Sequence, residues 1–205
     1  MSFERRARWM MAQLGRKPGR HSSEDLLLDV ADVTDAVGGH WEKLDGRTWR
    51  TGEGDREAPW AQRARGMASV TAWRSFGNKA ESRWIWCQVV PLASASDVGA
   101  AARDIADKAI PNRSAKVKLV ATREIEVAEL SGAVFLFGRE QQTAGSTGAG
   151  FSYLLGFGVG SVLAVVSYSG TTTLGDAVAV ADALSWRVQE RHEGIADEAD
   201  EADDE

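Results

Sequence analysis

Short runs of alternating hydrophobic and polar residues, a pattern typical of β-strands, follow one another through the middle of the chain. The stretch RWIWCQVVPL, at 83–92, differs because bulky apolar residues fill both sets of alternate positions. AVFLF and VLAVVSY share this property. A strand that is apolar on both faces has to be covered on both faces. The pattern therefore predicts a sheet with packed layers on each side.

Turn signals predict how the early strands are joined. MASVTAWRSF (67–76) and SRWIWCQVV (82–90) are separated by GNKAE, whose residues favour turns, so we expect an antiparallel pair. In HWEKLDGRTWRTG, the dipeptide Asp45-Gly46 stands between two short runs and predicts a hairpin.

Four further strands are predicted in the second half of the chain. Residues 115–130 alternate like a strand that is wetted on one face, and 132–140 is expected to pair with it. The glycine-rich QQTAGSTGAG predicts a loop. FSYLLGFGVGSVLAVVSYSG then predicts two strands that turn near Gly158 and Gly160.

Apolar stripes at helical spacing predict two long helices. One begins at Ser94 and Asp97, which match a capping box, and ends at Pro111. The other begins after Thr173 as N-cap, with Asp176 at the third helical position. A short helical turn ended by two glycines is predicted in LLLDVADVTDAVGG.

These elements predict the fold class α+β. Runs of strands joined by short turns form an antiparallel sheet, and helices packed on both of its faces make an α/β/α sandwich. We expect a single domain over 21–191. Residues 1–20 are expected to form a separate basic segment, and 192–205 a disordered acidic tail.

The segment 2–14 has the spacing of an amphipathic helix, and a connector rich in glycine and proline follows it. The helix is expected to dock on the body of the protein or on a second copy. Alternatively, it lies on an anionic membrane surface with Trp9 at the interface. The residues expected to contact the partner or membrane are Arg5, Arg8, Trp9 and Met10.

Charge is distributed unevenly along the 205 residues, whose net charge is −6. The first 20 residues carry six basic side chains against one acid, and the last 16 carry nine acids against one arginine. The central body is therefore close to neutral. This excludes the basic surface that nucleic acid binding requires, so no nucleic acid partner is expected.

Three observations predict a cytoplasmic location. The N-terminus has arginines but no apolar core of a signal peptide, and no run of 18 apolar residues occurs. The single cysteine, Cys87, cannot form an internal disulfide, which fits a reducing compartment. Because free cysteines are among the most buried residues, Cys87 is expected to act as a small core hydrophobe.

The order of elements, which ends in VLAVVSYSGTTTLGDAVAVADALSWRVQER, resembles that of a known family over residues 26–191. It is similar to the PsbP-like α/β/α sandwich of actinobacterial lipoproteins and of the extracellular sensor domains of mycobacterial serine/threonine kinases. Members mostly bind partners or small ligands, so the resemblance implies a binding module. They are usually exported and many carry disulfides or a lipid-modified cysteine, features that this sequence lacks.

Motifs for catalysis are missing from the sequence. The three histidines, His21, His40 and His192, lie in a linker, beside a glycine pair and in the acidic segment. No zinc-ligand spacing, nucleophile elbow, dinucleotide fingerprint or P-loop occurs. We therefore predict no catalytic residue, no metal and no cofactor.

Tryptophan is the residue type that stands out, with eight copies of which six fall between Trp41 and Trp86. Trp84 and Trp86 are expected to fill the layer between sheet and helix. The other four are flanked by arginines, a combination enriched at binding hot spots. The predicted surface groove consists of Trp41, Trp49, Arg50, Trp60, Arg63, Trp73 and Arg74.

The predicted function is a non-enzymatic binding or protein-interaction module that uses this Trp/Arg-rich surface to contact a protein partner. The alternative is a protein that self-associates as a homo-oligomer, or attaches peripherally to a membrane, through its basic N-terminal helix.

Overall fold

The computed structural model of the chain describes residues 22–50, 70–92, 94–108, 117–127, 129–145 and 148–201. Within these ranges the chain forms one seven-stranded antiparallel sheet and three helices, which confirms the predicted α+β class. The bounds are α1 Val30–Val37, β1 Glu42–Arg50, β2 Val70–Asn78, β3 Arg83–Pro91, α2 Ala95–Lys108, β4 Val117–Glu124, β5 Val134–Gly145, β6 Gly148–Val159, β7 Val162–Gly170 and α3 Leu174–Glu201.

The strands are ordered β1-β2-β3-β7-β6-β5-β4 across the sheet. The chain builds one half of the sheet as β1 to β3, crosses through α2 to the far edge at β4, and returns by hairpins to β7. β7 therefore lies at the centre and closes the sheet against β3. The predicted antiparallel pairs β2–β3 and β4–β5 are confirmed, and so is the turn near Gly160 between β6 and β7.

Both edge strands carry a bulge. The register of β1 shifts around Leu44, and that of β4 shifts around Val120. A bulge interrupts the row of free backbone groups on an edge, so it discourages pairing with another chain.

Helix ends follow the capping residues in the sequence. The side chain of Asp29 accepts a hydrogen bond from the Asp32 backbone N–H at 3.0 Å. The Asp32 side chain accepts one from the Asp29 backbone N–H at 2.9 Å. Thr173 and Asp176 exchange the same pair of bonds, each at 3.2 Å, at the start of α3. These reciprocal bonds satisfy two backbone donors at each helix start and confirm the predicted N-cap of the last helix.

One hydrophobic cluster joins α1 and α3 to alternate residues of the sheet. Ile85, Cys87 and Val89 of β3 belong to it, and each is at most 1% exposed. We call the side of the sheet that carries these residues the first face. Its other strand residues include Ala72, Phe76, Tyr153, Leu155, Phe157, Ala164, Val166 and Tyr168, and its helix residues include Val33, Ala177, Val180, Ala181, Leu184 and Val188.

A second cluster joins α2 to the intervening residues of the same strands. Leu163 and Val165 of β7 belong to it, whereas their neighbours Ala164 and Val166 belong to the first cluster. Because successive side chains of a strand point to opposite faces, we call this side of the sheet the second face. The helix residues of this cluster are Val98, Ala101 and Ala102.

Two predicted turns are wrong. Asp45-Gly46 does not form a hairpin, because β2 offers a pairing partner along the whole of β1 and the irregularity is taken up by a bulge at Leu44. QQTAGSTGAG is not a loop over most of its length, because residues 141–145 and 148–150 extend the ladder between β5 and β6. Cross-strand pairing outweighs the local preference of glycine in both places.

The predicted disordered tail is also corrected, since α3 continues to Glu201. Once the packed part of a helix is formed, each further residue adds a hydrogen bond at little cost, and the alanines and glutamates of this segment are good helix formers. Residues 202–205 and the predicted N-terminal helix lie outside the described residues. None of the described helices is long and apolar enough to cross a membrane.

Gly170 is the last residue of β7 and pairs with Arg83 at the start of β3. A substitution at Gly170 tests how closely the two strands approach there. Its φ is 105°, and a Cβ would overlap the carbonyl oxygen of Ser82 on the paired strand end. We expect Gly170→Ala to lower the free energy of unfolding by about 2 kcal/mol or more. As a control, Gly99→Ala in α2, where a Cβ meets nothing within 4 Å, should raise it by about 1 kcal/mol. Urea denaturation measures both, and equal effects would contradict the steric argument.

Candidate functional site

Three tryptophans lie together on the second face of β2 and β3. Trp84 and Trp86 are two residues apart on β3, so both side chains are on the same face. Trp86 pairs with Ser75, and Trp73 lies two residues from Ser75 along β2, which places Trp73 on that face too. We call the surface formed by Trp73, Trp84, Trp86 and Leu44 the tryptophan face.

Leu44 reaches this surface because glycine occupies position 77. A Cβ at Gly77 would lie 2.9 Å from a Leu44 methyl carbon, so the glycine lets Leu44 lie directly over β2. Gly77 pairs with Trp84, which makes Leu44 and Trp84 neighbours across it. Leu44 is 46% exposed and Trp84 is 44% exposed. Two large apolar side chains therefore meet water at the end of the face that is farthest from Trp73.

The tryptophan face is polar but uncharged between its rings. All second-face residues of β2 and β3 that have described side chains are neutral, and they include Thr71 and Gln88, which are buried. Ser75 donates to the backbone oxygen of Asp45 at 3.4 Å, and Ser169 on β7 donates to that of Trp84 at 3.5 Å. On β2 and β3 the surface combines indole rings with hydroxyl groups, and charge is confined to the bordering strand β1, where Glu42, Asp45 and Arg47 pair with Gly77, Ser75 and Trp73.

Helix α2 forms one border of the tryptophan face. It packs on β5, β6 and β7. Trp86 is partly buried and packs against the second cluster at the edge of α2. The tryptophan face therefore begins beside α2 and extends towards the edge strand β1.

A closed aromatic cluster lies on the first face. The indole of Trp41 is 2% exposed, and its N–H donates to the Gly38 backbone oxygen at 2.7 Å. Tyr168 meets Trp41 edge to face, with ring centroids 6.0 Å apart and an interplanar angle of 67°. The Arg83 guanidinium carbon lies 5.2 Å from the centroid of the Trp41 ring, within the range of a cation–π interaction.

The guanidinium of Arg83 interacts with residues of this cluster and with Glu81. Its guanidinium donates to the Tyr168 hydroxyl at 3.1 Å and forms an ion pair with Glu81. Burial raises the pKa of Tyr168, and the nearby Arg83 charge only partly opposes this rise. The arrangement links β3 to β7 through Arg83 and Tyr168.

Alternation along the strands separates the residues of the predicted groove. Trp41 is buried on the first face, and Arg74 donates from the same face to the Leu28 backbone oxygen at 2.6 Å. Trp73 lies on the second face. The prediction that Trp41 lines a surface is therefore wrong, and Trp73 and Arg74, although adjacent in sequence, cannot act on one ligand.

The other predicted contact residues fall outside what the structure describes. Trp49 and Arg50 pair with Thr71 and Val70 at the end of β1, but their side chains are not among those described. Trp60, Arg63, Arg5, Arg8, Trp9 and Met10 lie in ranges outside the described residues.

Cys87 is a core residue, as predicted. Its thiol is fully buried on the first face, and burial raises its pKa to about 12, although the charge of Arg74 acts in the opposite direction. A thiol of this kind is protonated at neutral pH and is not a nucleophile. Across the described ranges, no group of three or more histidine, cysteine or acidic side chains is arranged to hold a metal ion.

The exposure of Trp84 and Leu44 was not predicted from the sequence. Trp84 was expected to pack between sheet and helix, but it is nearly half exposed because α2 lies over the other half of the sheet. The alternation of Trp84 and Trp86 already placed both on one face. Their proximity to Trp73 and Leu44 depends on the register of three strands, which no local signal gives.

The fold and the site define an α+β domain with a tryptophan-lined surface on one face of an antiparallel sheet. No protein-family model matches the chain. No curated protein matches it. Similarity is found among solved structures, and it shows the fold alone at the identities observed.

The extracellular domain of PknH from Mycobacterium tuberculosis is similar over 85% of this chain and 100% of that domain, with a TM-score of 0.55 and 15% identity. An uncharacterised protein of Mycobacterium smegmatis, an Rv0999 ortholog, is similar over 78% of this chain and 97% of its own, with a TM-score of 0.44 and 11% identity. The first similarity supports the predicted resemblance to mycobacterial kinase sensor domains at the level of the fold.

The predicted cytoplasmic location is corrected by this comparison. The prediction used the lack of a signal peptide and the single cysteine, but the similar PknH structure is an extracellular domain. A lone buried cysteine is compatible with either compartment, because it is protected from both oxidation and reaction.

The aromatic cluster on the first face and the tryptophan face should respond differently to truncation. We expect Trp41→Ala to lower the free energy of unfolding by about 3–5 kcal/mol, because it removes a buried ring and the partner of Arg83. Trp84→Ala should lower it by less than about 1 kcal/mol. Urea denaturation followed by circular dichroism measures both. A loss of equal size in Trp84→Ala would show that Trp84 serves the core.

The raised pKa of Cys87 predicts a pH dependence of stability. The thiol of the unfolded chain ionises near pH 9, whereas the folded thiol keeps its proton to about pH 12, so the free energy of unfolding falls as the pH rises above 9. We expect wild type to lose more stability than Cys87→Ala between about pH 8 and about pH 10.5. Parallel curves for the two proteins would contradict the burial of the thiol.

Proposed function

We propose that the chain is a non-enzymatic binding module whose contact surface is the tryptophan face. The observation that carries the proposal is the cluster of three tryptophans on one face of β2 and β3, with Trp84 44% exposed beside Leu44.

Exposure of these rings is energetically unfavourable in the isolated protein. A tryptophan side chain buries roughly 150–250 Å² when it is covered, and each Å² of apolar surface removed from water stabilises by about 25 cal/mol. Contiguous apolar surface on a folded protein marks contact sites, and tryptophan is enriched where binding energy concentrates. A ligand that covers Trp84 and Leu44 therefore gains free energy that the fold leaves unused.

We further propose that the sheet is the middle layer of an α/β/α sandwich, as in the PsbP-like fold. The assignment of Ala164 and Val166 to one cluster and of Leu163 and Val165 to the other supports this layering. In this arrangement α1 and α3 cover the first face. α2 covers only the half of the second face formed by β5 to β7, and none of the described helices packs on the remaining half.

The fold comparison is consistent with a binding role, since the similar PknH structure is the extracellular domain of a larger protein. We propose that 21–191 is one domain and that 1–20 is a separate basic segment. Self-association or membrane attachment through Arg5, Arg8, Trp9 and Met10 stays a prediction.

Site-specific photocrosslinking tests the proposed surface. We expect a discrete adduct in cell extract when p-benzoylphenylalanine replaces Trp84, and none when it replaces Phe151, which is 41% exposed elsewhere on the sheet. The adduct should disappear when Trp86→Ala is added, because the neighbouring ring contributes to the same contact. Identical adduct patterns from the two positions, or an adduct that persists in Trp86→Ala, would contradict the proposal.

A further inference from the structure

The tryptophan face has the form of a shelf that fits one extended chain, and we infer that its ligand is a proline-rich segment in the polyproline II conformation. This inference rests on the proposed binding function and adds the chemical class of the ligand. Four properties of the surface lead to it, namely the line of its rings, its charge, its size and the state of its backbone.

The three indoles form an oblique line. Trp84 and Trp86 are separated by two residues, or about 7 Å, along β3. Trp73 is on the neighbouring strand β2, about 5 Å to the side, and it pairs with Gln88, which lies two residues beyond Trp86 on β3. The line therefore extends over about 14 Å. A polyproline II segment rises about 3.1 Å per residue, so four or five residues span it.

The charge of the surface argues for a neutral ligand. The described second-face side chains of β2 and β3 are tryptophan, threonine, serine, glutamine and valine, with a glycine at 77. Binding of single-stranded nucleic acid needs basic side chains to neutralise phosphates in addition to stacking rings. β2 and β3 offer none on this face, and the described charged side chains that pair with it from β1, Glu42 and Asp45, are acidic. Proline rings are apolar and uncharged, and they stack on indoles.

The size of the surface argues against a second copy of the chain. The surface reaches from the edge strand β1 to the border of α2 beside β3, which is about 10 Å between the outer strand axes. Because the surface is about 14 Å long, its area is well below the roughly 800 Å² per partner that a stable protein interface buries. One narrow chain fills it.

The backbone beneath the rings excludes a ligand that binds as a β-strand. β2 is hydrogen-bonded to β1 and β3, and β3 to β2 and β7, so neither strand has an unpaired edge at this surface. A ligand lying on the face has to keep its own backbone solvated or bonded to side chains. A polyproline II chain does so, because it has no internal hydrogen bonds, and its carbonyls can accept from indole N–H groups.

Titration of the full chain with decaproline tests the inference. In ¹H–¹⁵N spectra we expect the indole N–H signals of Trp84 and Trp86 to shift and that of the buried Trp41 to stay in place. Each signal is assigned with a single Trp→Phe variant. A glycine-serine peptide of the same length should cause no shift. The titration itself uses the unmodified protein, and the variants serve only to assign the signals.

Calorimetry on variants gives the second readout. Trp84→Ala should weaken decaproline binding at least about tenfold, whereas the matched control Phe151→Ala, an exposed aromatic elsewhere on the sheet, should leave the dissociation constant unchanged. Absence of decaproline binding to wild type, or equal binding to wild type and Trp84→Ala, overturns the inference.

A parallel titration with cellohexaose, a neutral oligosaccharide, separates this inference from the proposed function. If cellohexaose binds in a Trp84-dependent way and decaproline does not, the ligand class is wrong and the binding surface stands. If neither ligand shifts an indole signal and position 84 yields no specific photocrosslink, the inference and the proposed function both fail.

Discussion

The two-residue alternation of side chains along β2 and β3 decides what each aromatic and basic residue of this protein can do. Ile85, Cys87 and Val89 enter the buried cluster under α1 and α3, and the intervening Trp84 and Trp86 are thereby committed to the other face. A shift of one residue in register would exchange the two sets and bury the wrong side chains. The core on one face thus holds the tryptophans in place on the other.

Two aromatic groups with similar composition consequently have opposite roles. The indole N–H of Trp41 is hydrogen-bonded, and its ring contacts Tyr168 and the guanidinium of Arg83. Its interactions are therefore all made inside the protein. Leu44 lies over Gly77, which pairs with Trp84, and both side chains have nearly half of their surface in water. Composition alone does not distinguish these roles, since both groups place tryptophan near arginine in the sequence.

Local chemistry made much of the fold predictable. The capping pair Thr173 and Asp176, the antiparallel pair β2–β3 and the buried Cys87 all follow from signals within a few residues. The errors arise where distant partners decide the outcome. Asp45-Gly46 is part of β1 because β2 is long enough to pair with it. Trp73 and Trp41 lie on opposite faces because of strand register, which is a property of pairs of strands and cannot be read from a single stretch of sequence.

The position of the tryptophan face is a consequence of the crossover. After β3 the chain passes through α2 to the far edge of the sheet, and hairpins then fill the sheet back to β7. A helix that makes this crossing packs over the strands it spans, so α2 covers β5 to β7 and leaves β1 and β2 beside it. Among the described residues no helix packs on β1 to β3 from this side, so that half of the face needs either polar residues or a partner. Tryptophans occupy it, and this is why the proposed contact surface lies on this half of the sheet.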